Sequence, residues 1–298
     1  MINYRINASS LSKIIVISGL FQCIYALIIL LFIFVGIHLP SFFDAKIGFS
    51  STGQFRIYYT NLAVIYPLLG LSLYQFLYSN KEYKLLGLNN RIVSLIFFLI
   101  SFFALFFLSS SKGFTLGGIF VIFAIFSFSY GSQLQRYRLH ISFFIFILFT
   151  LLLIFFLVEF NYINIITDMF KSDDVSNVAR YDQLGFMIAD LKFWGQGLGA
   201  VVPGYISSSD SPYGFELTFI NTIHKFGVFS IVLFYNWIYM FYFLFKKCWR
   251  KKNVINNVIM LSSLGYLFPA IGNPVLFHPS LVMLNAIVLY HIKNEKMN

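Results

Sequence analysis

Charged side chains are scarce in this sequence. Asp, Glu, Lys and Arg make up 11% of its 298 residues, whereas hydrophobic residues make up 59%. A soluble globular domain carries about 25% charged residues, and a chain of this length could not bury so much apolar surface in a core. The mean hydropathy of +0.79 agrees with this argument. The composition therefore excludes a water-soluble protein and indicates a polytopic membrane protein.

Cysteines are few, and the patterns of common catalytic sites are absent. Cys23 and Cys248 lie within or at the end of apolar runs, so we interpret them as small apolar side chains and not as a disulfide or metal pair. The five histidines are scattered and lack the spacing of metal ligands. The sequence has neither a Walker-type phosphate-binding loop nor a Ser-His-Asp arrangement. We therefore predict no metal and no cofactor.

Long apolar runs make up most of the sequence. Eight of them approach the length of ~20 residues that a helix needs to cross a bilayer. They are Ile14–Ile37, Ile57–Tyr78, Ile92–Leu108, Thr115–Tyr130, Ile141–Val158, Phe219–Phe245, Val254–Ala270 and Val275–His291. The first run is long enough to span, so no cleaved signal peptide is predicted. The sequence predicts an all-α fold, with residues 1–298 forming one integral membrane domain of about eight transmembrane helices.

Basic residues separate between alternate loops. With eight spans, 14 of the 21 Lys and Arg residues lie on one side of the membrane and seven on the other. Because cytoplasmic loops are rich in Lys and Arg, both termini are predicted to be cytoplasmic. This orientation, and not nucleic-acid binding, explains the net charge of +10. The polar segment of residues 159–218 then forms one large extracytoplasmic loop.

This loop contains an amphipathic stretch that begins at Arg180. Apolar residues follow at helical spacing: Leu184, Met187, Ile188, Leu191 and Trp194. Such a helix would lie on the outer membrane surface with its apolar stripe in the interface. Three glycines then alternate at positions 195, 197 and 199. Because no strand precedes them, they predict a tight, closely packed turn and not a dinucleotide-binding loop.

Three cations from distant parts of the chain are predicted to reach the same outer surface. Arg56 precedes the second span, Lys112 lies between the third and fourth spans, and Arg180 lies in the large loop. An Arg can hold two phosphate oxygens at once, and a Lys supplies a point charge. The three residues therefore suit a lipid diphosphate. The alternative is that each anchors the protein to lipid headgroups.

Ionisable residues also mark the start of the sixth span. Glu216 lies at its mouth, and His224 and Lys225 lie about two turns deeper. Ionisable groups inside a span usually face a cavity or a partner. Glu216 could accept a proton from a sugar hydroxyl, or it could simply favour the positive end of its helix dipole. His224 could likewise be a packing or hydrogen-bonding residue and not a catalyst.

Between about Arg56 and Pro274, five elements in this order resemble the O-antigen polymerase and ligase superfamily. They are Ser111-Lys112-Gly113 in a turn between spans, the loop helix from Arg180 to Trp194, the run Gly195-Gln-Gly197-Leu-Gly199, Glu216 eleven residues before Gly227, and Asn273-Pro274 before the last span. The family has Arg where this chain has Lys112. Glu216 in place of a His favours a polymerase over a ligase.

The resemblance implies a metal-independent glycosyltransferase with a GT-C-like fold in the bacterial plasma membrane. Its expected partners are a polyprenyl-diphosphate-linked oligosaccharide, membrane lipid and a chain-length regulator protein, with no nucleic acid. The product would be O-antigen, capsule or exopolysaccharide. The residues implied are Arg180 and Glu216 as catalytic residues, with Arg56, Lys112, His224, Lys225 and Asn273 in substrate binding.

Two other functions stay open. A ligase of the same superfamily would transfer the glycan to the lipid A core. A flippase or transporter would have broken helices and charges near the membrane midplane, often in two related halves. The sequence has no internal symmetry, and the charged residues of the candidate site lie at the predicted outer surface. Polymerisation is therefore the function that we expect.

Overall fold

The computed structural model describes residues 8–36, 45–49, 55–59, 64–78, 90–109, 112–130, 175–205, 215, 217–247, 254–272 and 286. The predicted fifth span, Glu216 and Asn273 lie outside these residues. Of the predicted eighth span, only Ala286 is included.

Helices make up most of the described chain. They are α1 (Ala8–Phe34), α2 (Ile65–Tyr78), α3 (Arg91–Phe103) with a π-helical turn (Ala104–Leu108), α4 (Lys112–Tyr130), α5 (Val175–Ala189), α6 (Thr218–Phe226) with a 3-10 turn (Gly227–Phe229), α7 (Ser230–Lys247), α8 (Val254–Ser263) with a 3-10 turn (Leu264–Tyr266), and α9 (Leu267–Gly272). The strands are β1 (Ala45–Phe49) and β2 (Phe55–Tyr59).

The two strands form an antiparallel hairpin in which Arg56 lies opposite Gly48. This hairpin departs from the all-α prediction, in which the second span begins at Ile57. The helix begins eight residues later, at Ile65. The sequence of β2, Phe-Arg-Ile-Tyr-Tyr, consists mainly of aromatic and β-branched residues, which favour strands over helices. Hydropathy alone does not separate such a strand from the start of a span.

Two helices among the described residues are long and apolar enough to cross a membrane. One is Lys13–Phe34 within α1, and the other is Thr218–Tyr239, which joins α6 to the start of α7. Large side chains on α1 are exposed, Phe21 by 64% and Leu31 by 62%. Extended exposed apolar surfaces in proteins mark contact with a partner or a membrane. The count of eight spans stays a prediction.

The central helix of the bundle is α2. It is buried on all sides over most of its length, and it packs against α1, α3, α4 and α8. A helix that is apolar all round belongs in a core. The buried Tyr66 hydroxyl donates a hydrogen bond to the Phe114 carbonyl oxygen at 3.0 Å. This bond joins the start of α2 to the start of α4.

Glycines allow α4 to lie close to α9 and to the 3-10 turn that precedes it. A Cβ on Gly117 would overlap the carbonyl oxygen of Gly265 and the hydroxyl of Tyr66. A Cβ on Gly113, one turn earlier, would overlap the backbone of Pro269. Small residues four positions apart permit such close helix contacts in membranes. The pattern Gly113-x-x-x-Gly117 therefore determines this contact.

Several helix ends meet at one end of the bundle, which we call the hairpin end. The starts of α2 and α4 are joined there, and α9 reaches it through Pro269. Strand β2 contacts α1 and the π-helical turn that ends α3, while α6 contacts α9. The eight-span prediction places these ends outside the cytoplasm.

Candidate functional site

Helix α5 holds the start of α6. The first N–H groups of a helix lack partners within it, and the side chain of α6's own N-cap residue, Leu217, makes no capping hydrogen bond. Instead, Oε1 of Gln183 on α5 accepts a hydrogen bond from the Leu217 amide at 3.2 Å. One turn further along α5, Met187 packs with Val202 and Phe215 in a small buried cluster. The two helices thus form one unit.

The second link between these helices is polar. Asp190 directly follows α5, and its Oδ2 lies 2.9 Å from Nε2 of His224 on α6. The His224 side chain is completely buried, whereas the Asp190 side chain is 23% exposed. An ionised carboxylate can only accept hydrogen bonds, so Nε2 must donate. On the other side of the ring, Nδ1 is buried and has no partner within the described part of the chain.

The loop after α5 caps the far end of α6. The last carbonyl groups of a helix lack partners within it. Here the amides of Gln196 and Gly197 donate to the carbonyl oxygens of His224 and Lys225, each at 2.9 Å. In the opposite direction, the Val228 amide donates to a loop carbonyl at 2.8 Å. The loop is therefore fixed to α6 through main-chain atoms.

Two glycines permit this attachment. Gly195 has φ +80° and Gly227 has φ +53°, both in the left-handed region. A Cβ on Gly195 would overlap the Lys225 carbonyl oxygen, and a Cβ on Gly227 would overlap the Phe193 carbonyl oxygen. The closely packed turn predicted from alternating glycines is thus present. Gly197 also has a positive φ, of +92°, but its Cβ position is open.

Arg180 lies on the face of α5 that turns towards α6. It is half-buried and shares this face with Gln183 and Met187, since these positions follow the helical repeat. Met187 belongs to the predicted apolar stripe but packs inwards and is completely buried. Trp194, at the end of that stripe, is 68% exposed. Its ring lies 5.8 Å from that of Phe229, near the middle of the candidate span Thr218–Tyr239.

Lys225 lies beside the small buried cluster. Its Nζ is 5.9 Å from the centre of the Phe215 ring, within reach of a cation–π interaction. The ring of Phe215 also lies edge-on to the His224 imidazole, with centroids 6.5 Å apart. Phe215 therefore contacts both ionisable residues of α6, and it directly precedes Glu216 in the sequence.

The backbone brings several predicted site residues to the hairpin end. Lys112 is the first residue of α4, and the next residue, Gly113, packs on α9, whose last residue precedes Asn273. Helix α9 in turn contacts α6, which carries His224 and Lys225. Arg56 lies in β2 at the same end. The assignments to Glu216 and Asn273 concern residues outside the described part of the chain.

Sequence reasoning missed three polar residues of this unit: Gln183, Asp190 and Asn221. Gln183 lies three positions after Arg180 on the same face of α5, and Asp190 lies ten positions after Arg180, directly beyond the end of the helix. Asn221 lies one turn before His224 on α6. A search for polar residues at helical spacing from Arg180 and His224 would have found them.

Neither a protein-family model nor a curated protein nor a solved structure matches this chain. Among the described residues, no group of three or more His, Cys, Asp or Glu side chains could hold a metal ion.

Proposed function

We propose that this chain is an integral membrane glycosyltransferase that polymerises polyprenyl-diphosphate-linked oligosaccharide units into a surface polysaccharide. The observation that carries the proposal is that the elements bearing Arg56, Lys112 and Lys225 are linked at the hairpin end: β2 contacts the π-helical turn before α4, and α4 and α6 both contact α9. Helix α5, which carries Arg180, packs on α6.

The proposed setting is the outer face of a bacterial plasma membrane, with eight spans, a GT-C-like fold and both termini in the cytoplasm. The distribution of basic residues supports this orientation. Further support comes from the hairpin end, because helix ends that the orientation predicts to be outside lie together there. Membrane lipid and a chain-length regulator would be the partners.

The cations would act on the leaving group. Transfer of the glycan breaks the bond between its anomeric carbon and the lipid diphosphate, and negative charge develops on the diphosphate. Cations held in advance near that charge stabilise the transition state. Arg180 can bind two of the oxygens, while Lys225 and Lys112 supply point charges. Such an arrangement would take the role that a metal ion has in other glycosyl transfers.

Glu216 would act as the base or orient the acceptor sugar. Its two neighbours in the chain are held by α5, because Phe215 packs on Met187 and the Leu217 amide bonds to Gln183. A carboxylate at this position of the sequence could take the proton of a substrate hydroxyl.

The test is the surface polysaccharide of a strain from which the gene is deleted. We expect single repeat units on the lipid carrier or the core, and full-length polymer after the gene is restored. A core without any repeat unit would indicate a ligase instead. Repeat units trapped on the cytoplasmic face would indicate a flippase, and an unchanged polymer would reject all three functions.

A further inference from the structure

Two neighbouring side chains on α6 each bury a polar atom that has no hydrogen-bond partner in the described structure. The atoms are Oδ1 of Asn221 and Nδ1 of His224. Residues three apart on a helix are neighbours on one face. Unpaired buried polar atoms are rare in folded proteins. Two such atoms on one face of a helix indicate a place where a ligand supplies the missing hydrogen-bond partners.

Asp190 determines the kind of ligand that fits. In a neutral imidazole whose Nε2 hydrogen is donated to Asp190, Nδ1 carries a lone pair. The carbonyl oxygen of the Asn221 side chain is also an acceptor. Both unpaired atoms therefore require donors. A sugar has hydroxyl groups on adjacent carbons that can donate to both atoms. A diphosphate has only acceptor oxygens, which would be repelled by the lone pairs of Nδ1 and Oδ1.

We propose that Asn221 and His224 bind two hydroxyl groups of the acceptor sugar, and that Nδ1 of His224 takes the proton of the reacting hydroxyl. This inference rests on the proposed function and deepens it. The hydroxyl oxygen forms a bond to the anomeric carbon of the donor. The bond from that carbon to the diphosphate oxygen breaks, and its electron pair stays on the diphosphate. The resulting imidazolium is stabilised by Asp190, and Glu216 orients the acceptor.

Access to Nδ1 requires movement of a neighbouring side chain, because the His224 side chain is completely buried. The Phe215 ring packs edge-on against the imidazole. Until the acceptor binds, this packing keeps water from the base, which limits hydrolysis of the donor.

Two substitutions of His224 show whether it acts as a base or only links α6 to Asp190. His224→Gln keeps an amide donor near the position of Nε2, so the bond to Asp190 can persist, but it removes Nδ1. His224→Asn keeps an acceptor near the position of Nδ1 and loses the bond to Asp190. Because neither amide takes up a proton, we expect both variants to lose about 10²- to 10⁴-fold in rate. A structural link would instead leave His224→Gln active and inactivate only His224→Asn.

The assay uses membranes that contain equal amounts of each full-length variant. Their substrate is lipid-linked repeat units extracted from the deletion strain, and polymer length is followed on a gel. Ile223→Ala, a change on α6 at a residue that is 37% exposed, is the control. If the wild-type protein does not polymerise the units, the proposed function and this inference both fail. If wild type and His224→Gln polymerise equally, only the inference fails.

A spectroscopic measurement tests the inference without a change at His224. In protein whose other four histidines are replaced, nitrogen-15 NMR reports which ring nitrogen carries hydrogen. We expect an unprotonated Nδ1 whose resonance moves when the lipid-linked repeat units are added. A hydrogen on Nδ1, or a resonance that the units leave unchanged, would overturn the assignment.

Discussion

Replacing Gly227 with alanine should detach the loop after α5 from the end of α6. Gly227 has φ +53° and ψ −133°, and such backbone strain costs a residue with a Cβ about 1–3 kcal/mol. The new Cβ would also overlap the carbonyl oxygen of Phe193 and the amide nitrogen of Gly195. Overpacking typically costs a further ~1–3 kcal/mol. Because the overlapped atoms are backbone atoms, the loop itself must move, and together the two effects weaken docking by about 2–6 kcal/mol.

Hydrogen exchange measures this docking directly. The amides of Gln196, Gly197 and Val228 bond across the junction between the loop and α6, and their protection reports how often the junction opens. At 1.4 kcal/mol for each factor of ten, the expected loss of protection is about 30-fold to 10⁴-fold. Amides in α2, far from the loop, should keep their protection.

Two other glycines are matched controls. Gly197 has a positive φ but an open Cβ position, so Gly197→Ala should show only the strain, about 1–3 kcal/mol. Gly185 lies within α5 with open space around it, so Gly185→Ala should stabilise the helix by up to ~1 kcal/mol. Full amide protection in Gly227→Ala, or a loss of protection smaller than that in Gly197→Ala, would refute the close contact between the loop after α5 and the end of α6.

Three further predictions concern topology and activity. A reporter fused after Ser208 should be active only outside the cytoplasm, and activity inside would overturn the orientation. Arg180→Ala should slow polymerisation by about 30- to 1000-fold at normal protein abundance, because about 2–4 kcal/mol of transition-state stabilisation is lost. Arg180→Lys should recover only part of this rate. A normal ladder of chain lengths in Arg180→Ala would mean that Arg180 only anchors the protein to the membrane. Glu216→Ala should be inactive. An active Glu216→Gln variant would show that Glu216 is not the base and would favour a role in orienting the acceptor, because an amide cannot take up the proton.

The sequence predicted the parts of this fold that depend on local pattern. The long apolar run of α1 and the start of α6 lie within a few residues of the predicted bounds. The tight turn at Gly195 was predicted from the spacing of glycines, since few other residues adopt a positive φ. The hairpin was missed because an apolar strand and the beginning of an apolar helix have similar hydropathy over five residues.

The core of the candidate site could not be predicted in the same way. Asp190 and His224 are 34 positions apart, and only the packing of α5 on α6 places them in contact. The interruption of the sixth predicted span at Gly227 was also missed, because its cause is a backbone crossing with a distant loop. Contacts of this kind depend on tertiary structure, which neither periodicity nor composition encodes.

The attachment of the loop to α6 through main-chain atoms has a consequence for how this protein can diverge. The amides of Gln196 and Gly197 hold the junction whatever side chains follow. Leu198 and Val201, just beyond it, are 70% and 51% exposed, so mutations there leave the anchoring bonds intact. Side chains at these exposed positions can therefore change without loss of the junction. We expect variants substituted at Leu198 and Val201 to accumulate normally, whereas Val202, which packs with Met187 and Phe215, has to stay apolar.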